Sequence, residues 1–145
     1  MENGKDKIKN LKVEKILDHL EYFGYEIYKE EDEDAETYRV FHQEKPDFYL
    51  RNYNEVIVIY YFLPVKEKVI KQKNIIEKLL NKLNEGSKFL VAGIAHDDSV
   101  FFFAYYFGVY GKTEFGRFIE LINDDYVTTI QSVGDWEKYL DFIEE

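Results

Sequence analysis

Val100-Phe-Phe-Phe-Ala-Tyr-Tyr-Phe107 is apolar at every position. Successive side chains of a strand point to opposite faces, so a sheet with one wet face alternates polar with apolar residues. This stretch does not alternate. The same doubling runs from Val56 to Leu63, where Val56, Val58, Tyr60 and Phe62 are apolar and so are Ile57, Ile59, Tyr61 and Leu63, and it recurs in Phe89 to Ile94. These strands are therefore expected to be covered on both faces. One way is for the domain's own helices to cover both. The other is for a second subunit or a protein ligand to cover part of one, since large bare apolar patches on soluble monomers are uncommon. The candidate interaction residues are Tyr60, Phe62, Phe101, Phe103, Tyr105 and Phe107, with one parity of the strands belonging to the core.

Working outward, His96-Asp97-Asp98 has the short polar side chains of a tight turn and joins Lys88 to Ala95 with Ser99 to Phe107 as a hairpin. Upstream, Glu55 to Leu63 reads as a long strand that Pro64 ends. From Val65 to Leu83, Val69, Ile76, Leu79, Leu80 and Leu83 recur at helical spacing, with Gly86 as the C-terminal cap. The first helix, over residues 7 to 22, carries Val13, Ile16, Leu17 and Leu20 on one face and stops at Gly24. Tyr25 and Ile27, the acidic turn Asp32 to Asp34, and Tyr38 to Phe41 predict a hairpin. Phe48 to Arg51 follows as a short strand and Asn52-Tyr53-Asn54 as a turn.

Downstream, Phe115, Phe118, Ile119 and Ile122 mark a third helix after Thr113. Val133, Trp136, Leu140 and Ile143 mark a last one, which Ser132-Val-Gly-Asp135 opens with the spacing of a capping box. The fold class is α+β: an antiparallel sheet of five to six strands flanked by helices, in the order α-β-β-β(-β)-α-β-β-α(-α). Strands are grouped rather than alternating singly with helices, which disfavours a doubly wound parallel sheet.

A chain of 145 residues with 46% apolar content suits a single α+β domain over residues 1–145. No apolar run nears the roughly 20 residues that span a bilayer, and the first residues lack the pattern of a secretory signal, so a cytoplasmic location is expected. Cysteine is absent, which excludes disulfides, thiolate zinc sites and thiol nucleophiles. The net charge of −10 repels polyanions at long range, making nucleic acid an unfavoured partner and an anionic membrane another. Charge is uneven, however. Glu26 to Glu36 holds seven acidic residues against Lys29, and Glu114 to Glu145 holds nine against Arg117 and Lys138. Between them lies a basic island of Lys66, Lys68, Lys71, Lys73, Lys78, Lys82 and Lys88, opposed only by Glu67, Glu77 and Glu85.

Leu20-Glu-Tyr-Phe-Gly-Tyr25 leads from the first helix into the first strand, Leu79-Leu-Asn-Lys-Leu-Asn84 closes the central helix, and Lys88-Phe-Leu-Val opens the next strand. In these stretches and in element order the chain resembles the type III secretion chaperone-like fold, especially the YbjN-type and bacterial sensory transduction regulator-like proteins. Asn81, Asn84 and Lys88 match the family's Asn-rich helix end and following lysine. The resemblance implies a two-layer α+β domain, often dimeric, that binds proteins and has no catalytic activity. The chain departs from that pattern in its aromatic excess and in the acidity of Asp32 to Glu36.

A search for catalytic and metal-binding sets returns weak candidates only. His96, Asp97 and Asp98 offer a base or metal ligands, but turn chemistry explains them. His19 in the first helix and His42 near a strand end fit ordinary structural roles. Aligning Asp32 and Asp34 with a calcium loop leaves Thr37 where Gly is needed and Gln43 where a bidentate Glu is needed. Gly108-Val-Tyr-Gly111 is too short to cradle a phosphate and reads as a flexible connection. Lys71, Lys78 and Lys82 share a helical side and form the candidate anion site, with a solvated face as the plainer explanation. The expected function is thus a non-enzymatic protein-binding module, chaperone-like or regulatory, without cofactor or metal, and homodimeric. The alternatives are an anion- or nucleic-acid-binding module through the lysine-rich helix over 65–84 and an enzyme with a site near His96 to Asp98.

Overall fold

The computed structural model describes residues 4–31, 35–53 and 55–140, with side chains described from residue 12 onward apart from that of Trp136. The expected acidic turn over Asp32 to Asp34, Asn54 of the next turn and Ile143 of the last helix lie outside the described residues. The elements are α1 (Gly4–Tyr22), β1 (Glu26–Glu30), β2 (Glu36–Phe41), β3 (Phe48–Asn52), β4 (Val56–Leu63), α2 (Glu67–Ile70), α3 (Lys73–Gly86), β5 (Val91–Ile94), β6 (Val100–Phe107), α4 (Lys112–Ser132) and α5 (Trp136–Tyr139). The strands form one six-stranded antiparallel sheet in the order β1-β2-β3-β4-β6-β5. The α+β class and the grouped strands are as the sequence predicts.

The chain divides into two compact units, one of residues 1–60 and 105–120 and the other of residues 61–104 and 121–145. In the first, α1 ends as its sequence demands. Gly24 takes φ +94°, its N–H donates to the Glu21 carbonyl, and the Tyr25 N–H donates to that of Leu20, the paired bonds of a Schellman cap. His42 then fixes the chain against this turn, with Nε2 3.2 Å from the Phe23 carbonyl and Nδ1 accepting the Glu44 N–H at 3.0 Å. The β1–β2, β2–β3 and β3–β4 registers place Ile27, Val40, Phe48 and Leu50 on one face with Ile57 and Ile59. On that face Tyr106 of β6 packs against Phe115 and Phe118 of α4, with ring centroids 5.2 Å away in each case.

In the second unit, Tyr61 stacks on Tyr126 of α4 at 4.6 Å, Phe102 meets the same ring edge-on at 6.0 Å, and the Tyr61 hydroxyl donates to Asn123 Oδ1 at 2.5 Å. Ile76, Leu79 and Leu83 bury the inner stripe of α3. Two side chains hold β5 in place. Asp125, buried in α4, accepts the backbone N–H groups of Lys88, Phe89 and Leu90 at 2.8 to 3.1 Å, and the Thr129 hydroxyl at 3.2 Å. Asn84 at the end of α3 accepts the Ala92 N–H at 2.8 Å and donates to the Ala92 carbonyl at 3.2 Å, so its carboxamide pairs with β5 as a neighbouring strand would.

Several boundaries differ from expectation. The single helix over 65–83 is broken at Gln72, whose φ of −110° and ψ of 94° are extended, separating α2 from α3. Gly86 is the last residue of α3 and not its cap; a Cβ there would lie 2.7 Å from Ser132 Oγ, so its bareness permits the close approach of α4. Ser132 does not open the last helix. It ends α4, its hydroxyl donates to the Thr129 carbonyl at 2.7 Å, and Gly134 at φ +80° turns the chain before α5. No described helix is long and apolar enough to cross a membrane.

Of the two ways of covering both faces, the domain's own helices leave part of the second face exposed among the described residues. In each unit the helices pack on the side that carries Ile57, Ile59 and Tyr106 or Tyr61 and Phe102, and on the opposite side Phe62, Tyr105 and Phe107 are exposed. Among the described residues, the apolar doubling reflects an aromatic second face that is partly exposed.

Candidate functional site

The uncovered side is built by strand parity. In the first unit the register sets Arg39 opposite Tyr49 and Tyr49 opposite Tyr60, with Tyr28 opposite Arg39 on the outer strand. Cations and rings interleave there. Arg39 lies 4.8 Å from the Phe41 ring centroid and 5.8 Å from that of Tyr49, Arg51 lies 5.4 Å from that of Tyr60, and Tyr49 and Tyr60 stack at 5.0 Å with 11° between planes. Two of the three arginines in the chain, Arg39 and Arg51, thus sit on this side, against a net charge of −10 for the whole. Tyr105 and Phe107, stacked at 6.2 Å, are 54% and 71% exposed.

In the second unit Phe62 meets Phe101 edge-on at 5.6 Å and Phe101 meets Phe103 at 6.0 Å, while Val91 and Gly93 of β5 pair with Phe103 and Phe101. Phe62 is 48% exposed and Val91 57%. Of the six sequence-derived residues, Phe62, Tyr105 and Phe107 are exposed, Phe101 and Phe103 half-buried, and Tyr60 buried among its ladder neighbours. The open parity is even in β4 and odd in β6.

The other candidates resolve individually. Lys71 lies at the C-terminal end of α2, where it pairs with Glu67 at 3.2 Å, whereas Lys78 and Lys82 belong to α3, so the break at Gln72 removes the helical side the three were expected to share. Lys82 sits 5.6 Å over the Tyr139 ring. His96, Asp97 and Asp98 form the β5–β6 turn: Ala95 donates to the Ser99 carbonyl at 2.8 Å, Asp97 accepts the Ser99 N–H at 3.1 Å, and Asp98 adopts φ 66°. That bond pattern holds the Asp97 carboxyl below its ordinary range, the hydrogen bonds with Ser99 being the main cause. Glu36, from the acidic stretch, accepts the Tyr38 hydroxyl and the Asn52 amide and orders the start of β2. Among the described residues no three acidic or imidazole groups converge as metal ligands.

Sequence reading gave His19 an ordinary structural role and did not connect it with Tyr110, a 91-residue separation that leaves no local signal. His19 Nδ1 and the Tyr110 hydroxyl share a hydrogen bond of 2.7 Å, and the imidazole packs edge-on against Phe115 at 5.1 Å. Burial, and next the nearby Lys112, lower the His19 pKa from its ordinary value. The folded state therefore favours the neutral ring, and its contribution to stability is whole above the unfolded pKa of about 6.5 and lost as pH falls through the lowered folded value. Between pH 7 and pH 4.5, His19→Gln is expected to flatten the part of the stability profile that falls with acidification, as measured by urea denaturation at each pH.

No protein-family model matches the chain, and no curated protein is similar to it in sequence. A solved structure does match: the crystal structure of YbjN from E. coli, a candidate transcription regulator, superposes with a TM-score of 0.64 at 11% identity, over 90% of this chain and 96% of that one. The fold is YbjN-like. The stretches that carry the family resemblance have visible work in this YbjN-like fold. Leu20 to Tyr25 form the cap of α1, Asn84 pairs with β5, and the Lys88 N–H enters the Asp125 cluster, whereas Asn81 is exposed.

Proposed function

We propose that this chain is a non-enzymatic regulatory module that binds a protein partner on the uncovered side of its sheet. The observation that carries this reading is the exposure of large rings on a regular sheet surface, Phe62 in one unit and Tyr105 and Phe107 in the other. Strand residues with their backbone already paired are not left apolar on a wet side without cost, and exposed aromatic patches of this kind mark protein contact surfaces. Arg39 and Arg51 add the chemistry of the partner: a protein surface offering apolar side chains to the rings and carboxylates to the guanidinium groups. The regulatory role is supported by the YbjN-like fold.

Phe62→Asp and Phe107→Asp, made singly, test it. Each is expected to weaken partner binding at least about tenfold while leaving the thermal midpoint within a few degrees. The readouts are light-scattering mass, which reports a second copy of this chain as the occupant, and titration with any acidic-surfaced protein captured by the wild type. A single-chain mass together with capture that both variants leave unchanged sinks the proposal.

A further inference from the structure

Within the first unit, the last turns of α1 and the segment leading into α4 line an open surface depression of about 520 Å3. That volume lies in the range of sites for small organic molecules, roughly 300 to 1,000 Å3. It is set apart from the sheet side discussed above by its chemistry. Its wall is aromatic: Tyr22 is 80% exposed and stands at 81° to Phe23, 5.2 Å away, and Phe23 in turn lies 4.9 Å from the His19 ring. Two ammonium groups, Lys15 and Lys112, line the same depression with one carboxylate, Asp18. Tyr110 lines it beside His19.

We propose that this depression binds a nucleoside monophosphate whose base carries an amino group. The flat base finds a stacking surface on the exposed Tyr22 ring, to which Phe23 stands edge-on, of the kind that contributes about 1 to 3 kcal/mol per base in aromatic recognition of nucleotides. The phosphate is met by Lys15 and Lys112, which leaves the local cationic excess at one charge over Asp18. Asp18 accepts the exocyclic amino group, a donor that an anion-only site would have no use for. The Tyr110 hydroxyl, held by its 2.7 Å hydrogen bond with His19 Nδ1, has hydrogen-bonding capacity left for the sugar without adding charge. A polyanion is disfavoured by the acidity of the chain, whereas a monophosphate carries few charges and meets two lysines that line the same depression.

The test is a nuclear magnetic resonance titration of the full chain with adenosine monophosphate, with adenosine alone and inorganic phosphate alone as separate arms. Saturable shifts are expected at Tyr22, Phe23, Tyr110 and Lys112 with the nucleotide. Lys112→Gln is expected to weaken the nucleotide about tenfold, the scale of one lost charge-assisted hydrogen bond, and to leave adenosine unchanged. Asp18→Asn and Tyr22→Ala are expected to weaken both. All three positions are exposed, so each variant is first checked for an unchanged amide spectrum outside the depression. Nucleotide binding no tighter than phosphate, no saturable shift up to millimolar nucleotide, or affinity indifferent to all three substitutions overturns the proposal.

Discussion

Replacing Phe102 with alanine is expected to cost the fold about 4 kcal/mol, whereas Phe107→Ala, on the same strand, is expected to change stability by no more than about 0.5 kcal/mol. Both side chains belong to the run that reads identically on its two faces, and only position in the pleat separates them. Phe102 is wholly buried and meets Tyr126 of α4 edge-on, so its removal loses the transfer term and opens a cavity that the surrounding rings fill only in part. Phe107 is 71% exposed and its described ring contact is with Tyr105, which is itself exposed. Urea-denaturation midpoints of the two variants measure the difference. Equal losses would mean that the second side of β6 is as tightly covered as the first.

The second large effect is expected at Asp125. Its carboxylate gathers three consecutive backbone N–H groups, and the chain from Lys88 to Leu90 is held by these bonds before it enters β5. Asp125→Ala leaves those donors facing a void in a buried site, and an unsatisfied buried donor costs about 1 to 3 kcal/mol. The expected loss is about 4 kcal/mol, below the simple sum because water enters the vacated space. Thr129→Val removes only the hydroxyl bond to the same carboxylate, 3.2 Å long, and is expected to cost about 1 kcal/mol. Amide exchange of Lys88 to Leu90 should accelerate in the first variant and barely change in the second. If both variants lose the same stability, the carboxylate is not what organises the segment.

Neither effect is readable from composition. Local chemistry made the punctuation legible: Gly24 at a positive φ, Pro64 at the end of β4 and the polar turn at His96 to Asp98 all act where their residue types say they should. The break at Gln72 carries no glycine or proline, and the apolar spacing from Val69 to Leu83 continues across it, so periodicity ran two helices into one. Ser132 to Asp135 had the right letters for a helix start, but α4 runs further than its strongest apolar repeat and uses Ser132 as its end. For the sheet, the sequence named the aromatic residues but not their side, because a run apolar at every position has no phase. Phe115 and Tyr126 on α4 supply that phase, and Tyr126 is distant in sequence from Tyr61 of the strand it covers. The His19–Tyr110 pairing, made across 91 residues, likewise leaves no local signal.

The pairing of Asn84 with Ala92 bears on how copies of this chain behave when crowded. β5 closes one end of the strand order, and the rim of a sheet is where a foreign strand is most easily added. Here Ala92, the second residue of a four-residue strand, already has its N–H and C=O paired with a side chain from its own unit. A would-be seventh strand must first displace that carboxamide, and it gains little length for doing so. Runaway stacking of molecules edge to edge is therefore discouraged at β5 by one residue.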